Sequence, residues 1–135
     1  MDRRLRLRED ADIRRVRSRG RSVAEGPLLG RVLANGLVPP RNRYTVVAGK
    51  KQGNAVARNR VKRLVREGLR GLHPTLRPGH DLVVIVRGTV AELPDAATAR
   101  RVLDRIVRRA NLVQAPATPT VGSAGARPPS ADGRA

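Results

Sequence analysis

Residues 49–74 read GKKQGNAVARNRVKRLVREGLRGLHP, and their periodicity carries most of the fold. Ala57, Val61, Leu64, Val65, Leu69 and Leu72 recur at helical spacing and form one apolar stripe. Asn54 stands where a capping side chain is needed, and His73-Pro74 ends the run because proline cannot continue a helix. The spacing predicts a helix over 54–72. Its opposite ridge carries Asn59, Arg63, Arg66 and Arg70, with Arg60 and Lys62 on either side. Only Glu67 opposes Arg58, Arg60, Lys62, Arg63, Arg66 and Arg70, so self-pairing cannot neutralise the ridge. One face is core and the other is a cationic rail suited to phosphates. The preceding Gly49-Lys50-Lys51-Gln52-Gly53 is a glycine-bracketed basic loop that feeds free helix N–H groups, which favour an anion. The Gly-Lys-Ser/Thr spacing of a Walker loop is missing, so nucleotide binding is unsupported.

Working outward, Asp10 to Arg19 reads as a short helix, with Asp10 or Asp12 as its cap and Ile13 and Val16 on one face. Gly20 is expected to stop it in a left-handed conformation. Residues 28–34 (LLGRVLA) read as a first strand, in which Gly30 marks a bulge or a close approach. The Asn-Gly and Pro-Pro pairs make 35–42 a loop, and 43–49 (RYTVVAG) reads as a second strand antiparallel to the first. The continuous run 81–87 (DLVVIVR) suits a strand buried on both faces. A second long helix is expected over 95–111, with Ala99, Val102, Leu103, Ile106 and Val107 inward and Arg100, Arg101, Arg105 and Arg108 outward. The predicted order is α-β-β-α-β-α, a small two-layer α/β sandwich of the α+β class. Residues 1–114 make this one domain. Residues 115–135, rich in Ala, Pro, Gly, Ser and Thr, are expected to be a disordered tail.

Composition narrows the partner. The chain has 135 residues with 29 Lys and Arg against 11 Asp and Glu, a formal net charge of +18. Three of those bases are Lys (Lys50, Lys51, Lys62) and the rest are Arg, whose planar forks match phosphate oxygens in two-point geometry. Such a charge repels itself unless an anionic partner offsets it, and nucleic acid is the expected partner. The absence of Cys excludes a disulfide framework, a zinc ribbon and a thiol nucleophile. No apolar run approaches the ~18 residues of a membrane span, and residues 1–8 are charged where a signal peptide is apolar. The expectation is a soluble, cytoplasmic protein with no membrane partner.

Catalytic constellations are not evident. Two-metal nucleases need clustered carboxylates, whereas the only close acids, Glu9, Asp10 and Asp12, open a helix and suit its dipole. His73 lies beside Pro74 and His80 beside Gly79, neither with an evident partner. No catalytic or metal-ligating residue is expected in the chain.

The run KKQGNAVARNRVKRLVRE resembles the signature of the bacterial ribonuclease P protein subunit, in which a Lys-Lys-x-Gly-x-Ala-Val loop leads to Arg-Asn-Arg and a Lys-Arg-x-x-Arg continuation. Arg6-Leu7, a short helix ending at Gly20, Ser22, and Asp81 and Arg87 around an apolar strand extend the resemblance over about residues 5–112. The resemblance implies a left-handed β-α-β crossover. It also implies binding to a large catalytic RNA that removes the 5′ leader from precursor tRNA, with Mg2+ held by that RNA and substrate and none by the protein alone. Lys50, Lys51, Arg58, Asn59, Arg60, Lys62, Arg63 and Arg66 are the implied contacts to the catalytic RNA. Asn59 both donates and accepts, so it suits RNA edges or 2′-OH groups where Arg only donates. Leader contacts are implied between the first helix and the sheet, at Ile13, Arg17 and Tyr44. The family commonly places Phe there, whereas this chain has no Phe and a single Tyr. Arg14, Arg17 and Arg31 are expected to hold the leader by charge instead. No obligate protein partner is evident. The alternative is a structural ribosomal protein binding rRNA; a DNA-compacting protein would call for a dimer or wedge residues, and neither is suggested.

Overall fold

The structure is a computed structural model and describes residues 3–114. The chain runs α1 (Asp10–Arg19), β1 (Arg21–Glu25), β2 (Leu28–Ala34), β3 (Arg43–Ala48), α2 (Ala55–Leu72), β4 (His80–Val86) and α3 (Ala96–Arg109), with short 3-10 turns between. The strands form one sheet in the order β1-β2-β4-β3. β4 pairs antiparallel with β2 and parallel with β3, so β3-α2-β4 is a crossover unit. β4 takes the centre because its Leu82, Val83, Val84 and Val86 are buried, a run only a doubly covered strand can hide.

Side-chain alternation sorts the sheet into two faces. Leu28, Val32, Tyr44, Val46, Leu82, Val84 and Val86 join the stripes of α2 and α3 in the main core. Val83 and Val16 of α1, with Leu7, form a smaller core on the other face, which Ile13, Leu33, Val47 and Ile85 border. α1 therefore covers one face and α2 and α3 the other. The predicted order gains one strand, β1, which pairs with β2 through a tight Gly26-Pro27 connection in which Gly26 has φ +51°. With one buried apolar residue, Val23, β1 is too weakly patterned to stand out, although Gly-Pro before an apolar run is a hairpin signal. β2 and β3 run in opposite directions, as read from the sequence, but are not neighbours, since β4 lies between them.

Asn54 caps α2 by accepting from the Ala57 N–H at 3.0 Å, and Asp95 caps α3 through Thr98 N–H at 2.8 Å. That bond to the backbone holds the Asp95 carboxyl below its ordinary value. At α1 the N-cap position is Glu9, without a side-chain cap bond, so neither Asp10 nor Asp12 caps. Asp12 instead meets Arg15 at 3.3 Å and Arg43 at 3.5 Å. Gly20 is extended (φ −68°, ψ 150°), not left-handed. Glycine is required there for space, because a Cβ would lie 2.4 Å from the Val16 carbonyl oxygen. Gly30 is a close approach: a Cβ would come 2.7 Å from Ile106 Cγ2 of α3. The expected tail over 115–135 lies outside the described residues.

Candidate nucleic-acid interface

The α2 rail forms as its spacing requires. Val61, Val65, Leu69 and Leu72 are buried beneath the helix, which leaves Asn59, Arg60, Arg63 and Arg70 exposed and Arg58, Lys62 and Arg66 at the margins. Glu67 is taken up by Arg70. Among the described residues, no hydrogen bond or ion pair engages the side chains of Arg58, Asn59, Arg60, Lys62, Arg63 or Arg66. Their donors are free for an external acceptor. Arg66, with Arg6, Arg8, Tyr44 and Thr45, lines a cavity of about 190 Å³. The rail thus continues onto the N-terminal segment through Arg6 and Arg8, two cations the motif reading missed.

The loop before α2 is pinned rather than loose. Lys50 and Lys51 sit in a 3-10 turn, Lys50–Gln52, and Lys51 is exposed. Gln52 is buried, and its amide donates to the Val86 carbonyl at the end of β4 at 3.4 Å. Gly53 has φ +104°, which a residue with a Cβ adopts only under strain. These two anchors present Lys51 at the end of the sheet where α2 begins.

On the α1 face the register stacks the sheet residues into rows. Leu33, Asp81 and Arg43 form the first, Arg31, Val83 and Thr45 the second, and Leu29, Ile85 and Val47 the third. Asp81 is fully buried: Arg43 grips it with Nε and Nη2, both at 2.8 Å, Asn35 donates at 3.0 Å and Arg15 approaches to 3.7 Å. The Asp81 hydrogen bonds raise the Arg43 pKa above its ordinary value. This network ties α1 to the strand ends through Asp12 and Arg15. The third row is half-buried and aliphatic. It lies toward the C-terminal end of β3, the end from which the Lys50–Gln52 turn and α2 emerge, with half-buried Ile13 bordering the same core.

Of the residues assigned to this cleft, the structure brings Ile13 to it and leaves Arg17 exposed on α1. Tyr44 is not with them. Its side chain belongs to the opposite face, 3 % exposed beneath α2, with its hydroxyl 2.7 Å from His73 Nδ1 and the rings edge-on at 5.6 Å. Strand alternation decides this, since Arg43 and Thr45 take the α1 face and Tyr44 must take the other. Burial pushes the Tyr44 hydroxyl up to about 12, with a bond to Asn42 pulling the other way. Folding therefore favours neutral Tyr44. Stability from this group is complete below about pH 10, where the unfolded chain also keeps its proton, and is lost as pH rises toward 12. Urea titrations should show Tyr44→Phe relieving a loss of about 2–3 kcal/mol across that window. Because Tyr44 is the only Tyr and there is no Trp, tyrosinate absorbance reads it directly; a midpoint near 10 in the folded protein would contradict this account.

The acids and histidines do not converge. Among the described residues no group of three or more His, Cys, Asp or Glu side chains is placed to hold a metal. His73 is engaged by Tyr44, and the His80 backbone N–H donates to Asn42 Oδ1 at 2.8 Å. No helix among the described residues is long and apolar enough to cross a membrane.

Fold and surface together define a small α/β protein with an unpaired cationic helix face and a basic loop leading into it. The chain belongs to the ribonuclease P protein family, whose model, described as Ribonuclease P, matches residues 1–111. It is 36% identical over 108 residues to the ribonuclease P protein component of Caldanaerobacter subterraneus, covering 80% of this chain and 90% of that one. It is likewise 36% identical over 114 residues to that of Symbiobacterium thermophilum, covering 84% and 97%. The solved RNase P protein of Thermotoga maritima matches with a TM-score of 0.67 at 29% identity, covering 77% of this chain and 96% of that one. As a ribonuclease P protein component, the chain is part of an endoribonuclease of tRNA processing and a partner of ribonuclease P RNA. These relationships do not favour the ribosomal alternative.

Proposed function

We propose that this subunit docks on ribonuclease P RNA through the α2 rail and guides the 5′ leader of precursor tRNA along the α1 face, while the RNA carries the chemistry. The observation that carries this reading is a juxtaposition at one end of the sheet. The basic turn and the first turns of α2, with the unpaired Arg58 and Arg60, emerge at the C-terminal end of β3, the end of the sheet that carries the half-buried row Leu29, Ile85 and Val47 on its other face. An RNA held by the first places a strand leaving its active centre near the second. Mg2+ belongs to the RNA and substrate in this scheme, and the setting is the cytoplasm. Ile13 and Arg17 border the leader path with Arg14 and Arg31, whereas Tyr44 serves the core. An aliphatic floor forgoes stacking worth about 1–3 kcal/mol per base, so charge has to hold the leader.

The test is cleavage of precursor tRNA by the cognate RNA at low Mg2+, with and without the protein, on a long-leader and a one-nucleotide-leader substrate. Stimulation is expected on both and is expected to be greater on the long leader. No stimulation on either would overturn the docking role. Equal stimulation on both would overturn the leader path alone.

A further inference from the structure

α3 carries a second basic face that the α2 rail does not explain. Arg101, Arg105 and Arg108 lie four and three residues apart on its outer side, flanked by Arg100 and Arg109, and all five are exposed. The opposite stripe, Ala99, Val102, Leu103, Ile106 and Val107, is buried, so this ridge must face outward. Its acids are soon spent. Asp104 is taken by Arg108 at 2.9 Å, and Glu25 of β1 is taken by Arg109. Arg101 donates to the Thr98 hydroxyl at 3.2 Å and lies within the field of the capping Asp95 carboxylate without a salt bridge to it, and Arg100 and Arg105 make no hydrogen bond or ion pair among the described residues.

Two glycines bring this face up against the docking helix. A Cβ at Gly68 would come 2.9 Å from Leu103 Cδ1, and one at Gly71 would come 3.1 Å from an Arg100 guanidinium nitrogen. Arg100 thus lies over Gly71, next in sequence to Arg70 of the rail. Between the helices Leu72, Ala97, Arg100, Arg101 and Asp104 line a shallow depression of about 420 Å³. The exposed large apolar side chains among the described residues are Val38 and Val56, neither on α3. A protein partner would want an apolar centre to its contact. A polyphosphate backbone wants spaced guanidiniums and little else.

We propose that Arg100, Arg101 and Arg105 form a second docking surface for the phosphate backbone of ribonuclease P RNA, engaging a stretch beyond that held by α2. The proposal rests on the docking role assigned to α2 above. The two helices then act as one broad basic layer, and the contact on α3 is independent of base sequence.

The test measures binding of the full chain to its RNA across a salt series for Arg101→Ala/Arg105→Ala. Two lost phosphate contacts should flatten the log–log salt slope by about 1.4–1.8 and weaken binding about tenfold. An unchanged slope with unchanged affinity would overturn the proposal. Arg60→Ala/Arg63→Ala in the same series separates the two readings: if that pair changes the slope and the α3 pair does not, only the α3 surface falls. If neither pair changes it, the docking helix falls as well. Thermal melts check the fold, and Arg105→Gln, which keeps a long helix-forming side chain, should give about half the effect on the slope.

Discussion

Asp81→Ala is expected to destabilise the fold by about 3–5 kcal/mol, a large part of the ~5–15 kcal/mol that holds a domain of this size together. The reason lies less in the lost attraction than in what is left behind. Asp81 is fully buried and accepts from Arg43 twice at 2.8 Å and from Asn35 at 3.0 Å. Without it, Arg43, whose side chain is 16% exposed, keeps only Asp12 at 3.5 Å, and Arg15 loses one of its two acids. A buried guanidinium short of partners costs far more than a surface pair earns. Urea unfolding should show a lower midpoint at unchanged slope. The double variant Arg43→Ala/Asp81→Ala should lose less than the sum of the two singles, because removing both charges together leaves neither stranded. A loss under about 1 kcal/mol would mean that the network is not a structural anchor for α1.

Arg60→Ala/Arg63→Ala should have the largest effect on function without loss of fold. Both side chains are exposed on α2 and neither is paired within the described chain, so their removal disturbs no packing. At about 1.4 kcal/mol for each charge-assisted contact, binding to ribonuclease P RNA should weaken about a hundredfold. The salt dependence should flatten by about 1.4–1.8 in log–log slope. The two readouts constrain each other, since an affinity loss without a change in slope would indicate a distorted helix rather than missing phosphate contacts. Unchanged affinity would move the docking face off α2.

The parts legible in the sequence were those written in local periodicity. The bounds of α2, its Asn54 cap and its uncompensated outer face follow from spacing within 19 residues, Asn54 to Leu72. The doubly buried β4 follows from an unbroken apolar run, and the close approach at Gly30 from a glycine within a strand. The errors arose where a residue's partner lies far along the chain. Asp12 looked like a cap because nothing near it in sequence shows Arg43. Tyr44 looked like a cleft residue because a lone aromatic invites that role, yet only the pairing of β3 with β4 decides which face it takes.

By itself, then, the sequence determined that a strongly basic helix with one apolar face would be anchored and would leave its cations uncompensated on the outer side. Those are properties of consecutive residues and need no tertiary knowledge. The tertiary structure alone decided that β4 separates β2 from β3, that α1 takes the face opposite α2 and α3, and that Asp81 gathers Arg43 of β3, Arg15 of α1 and Asn35 of the loop after β2. It also placed the second arginine ridge of α3 beside the first, through the narrow contact at Gly68 and Gly71. Periodicity tells which face of an element is buried. Which neighbour buries it is settled by strand pairing and by the shapes of side chains that meet only when the chain has folded.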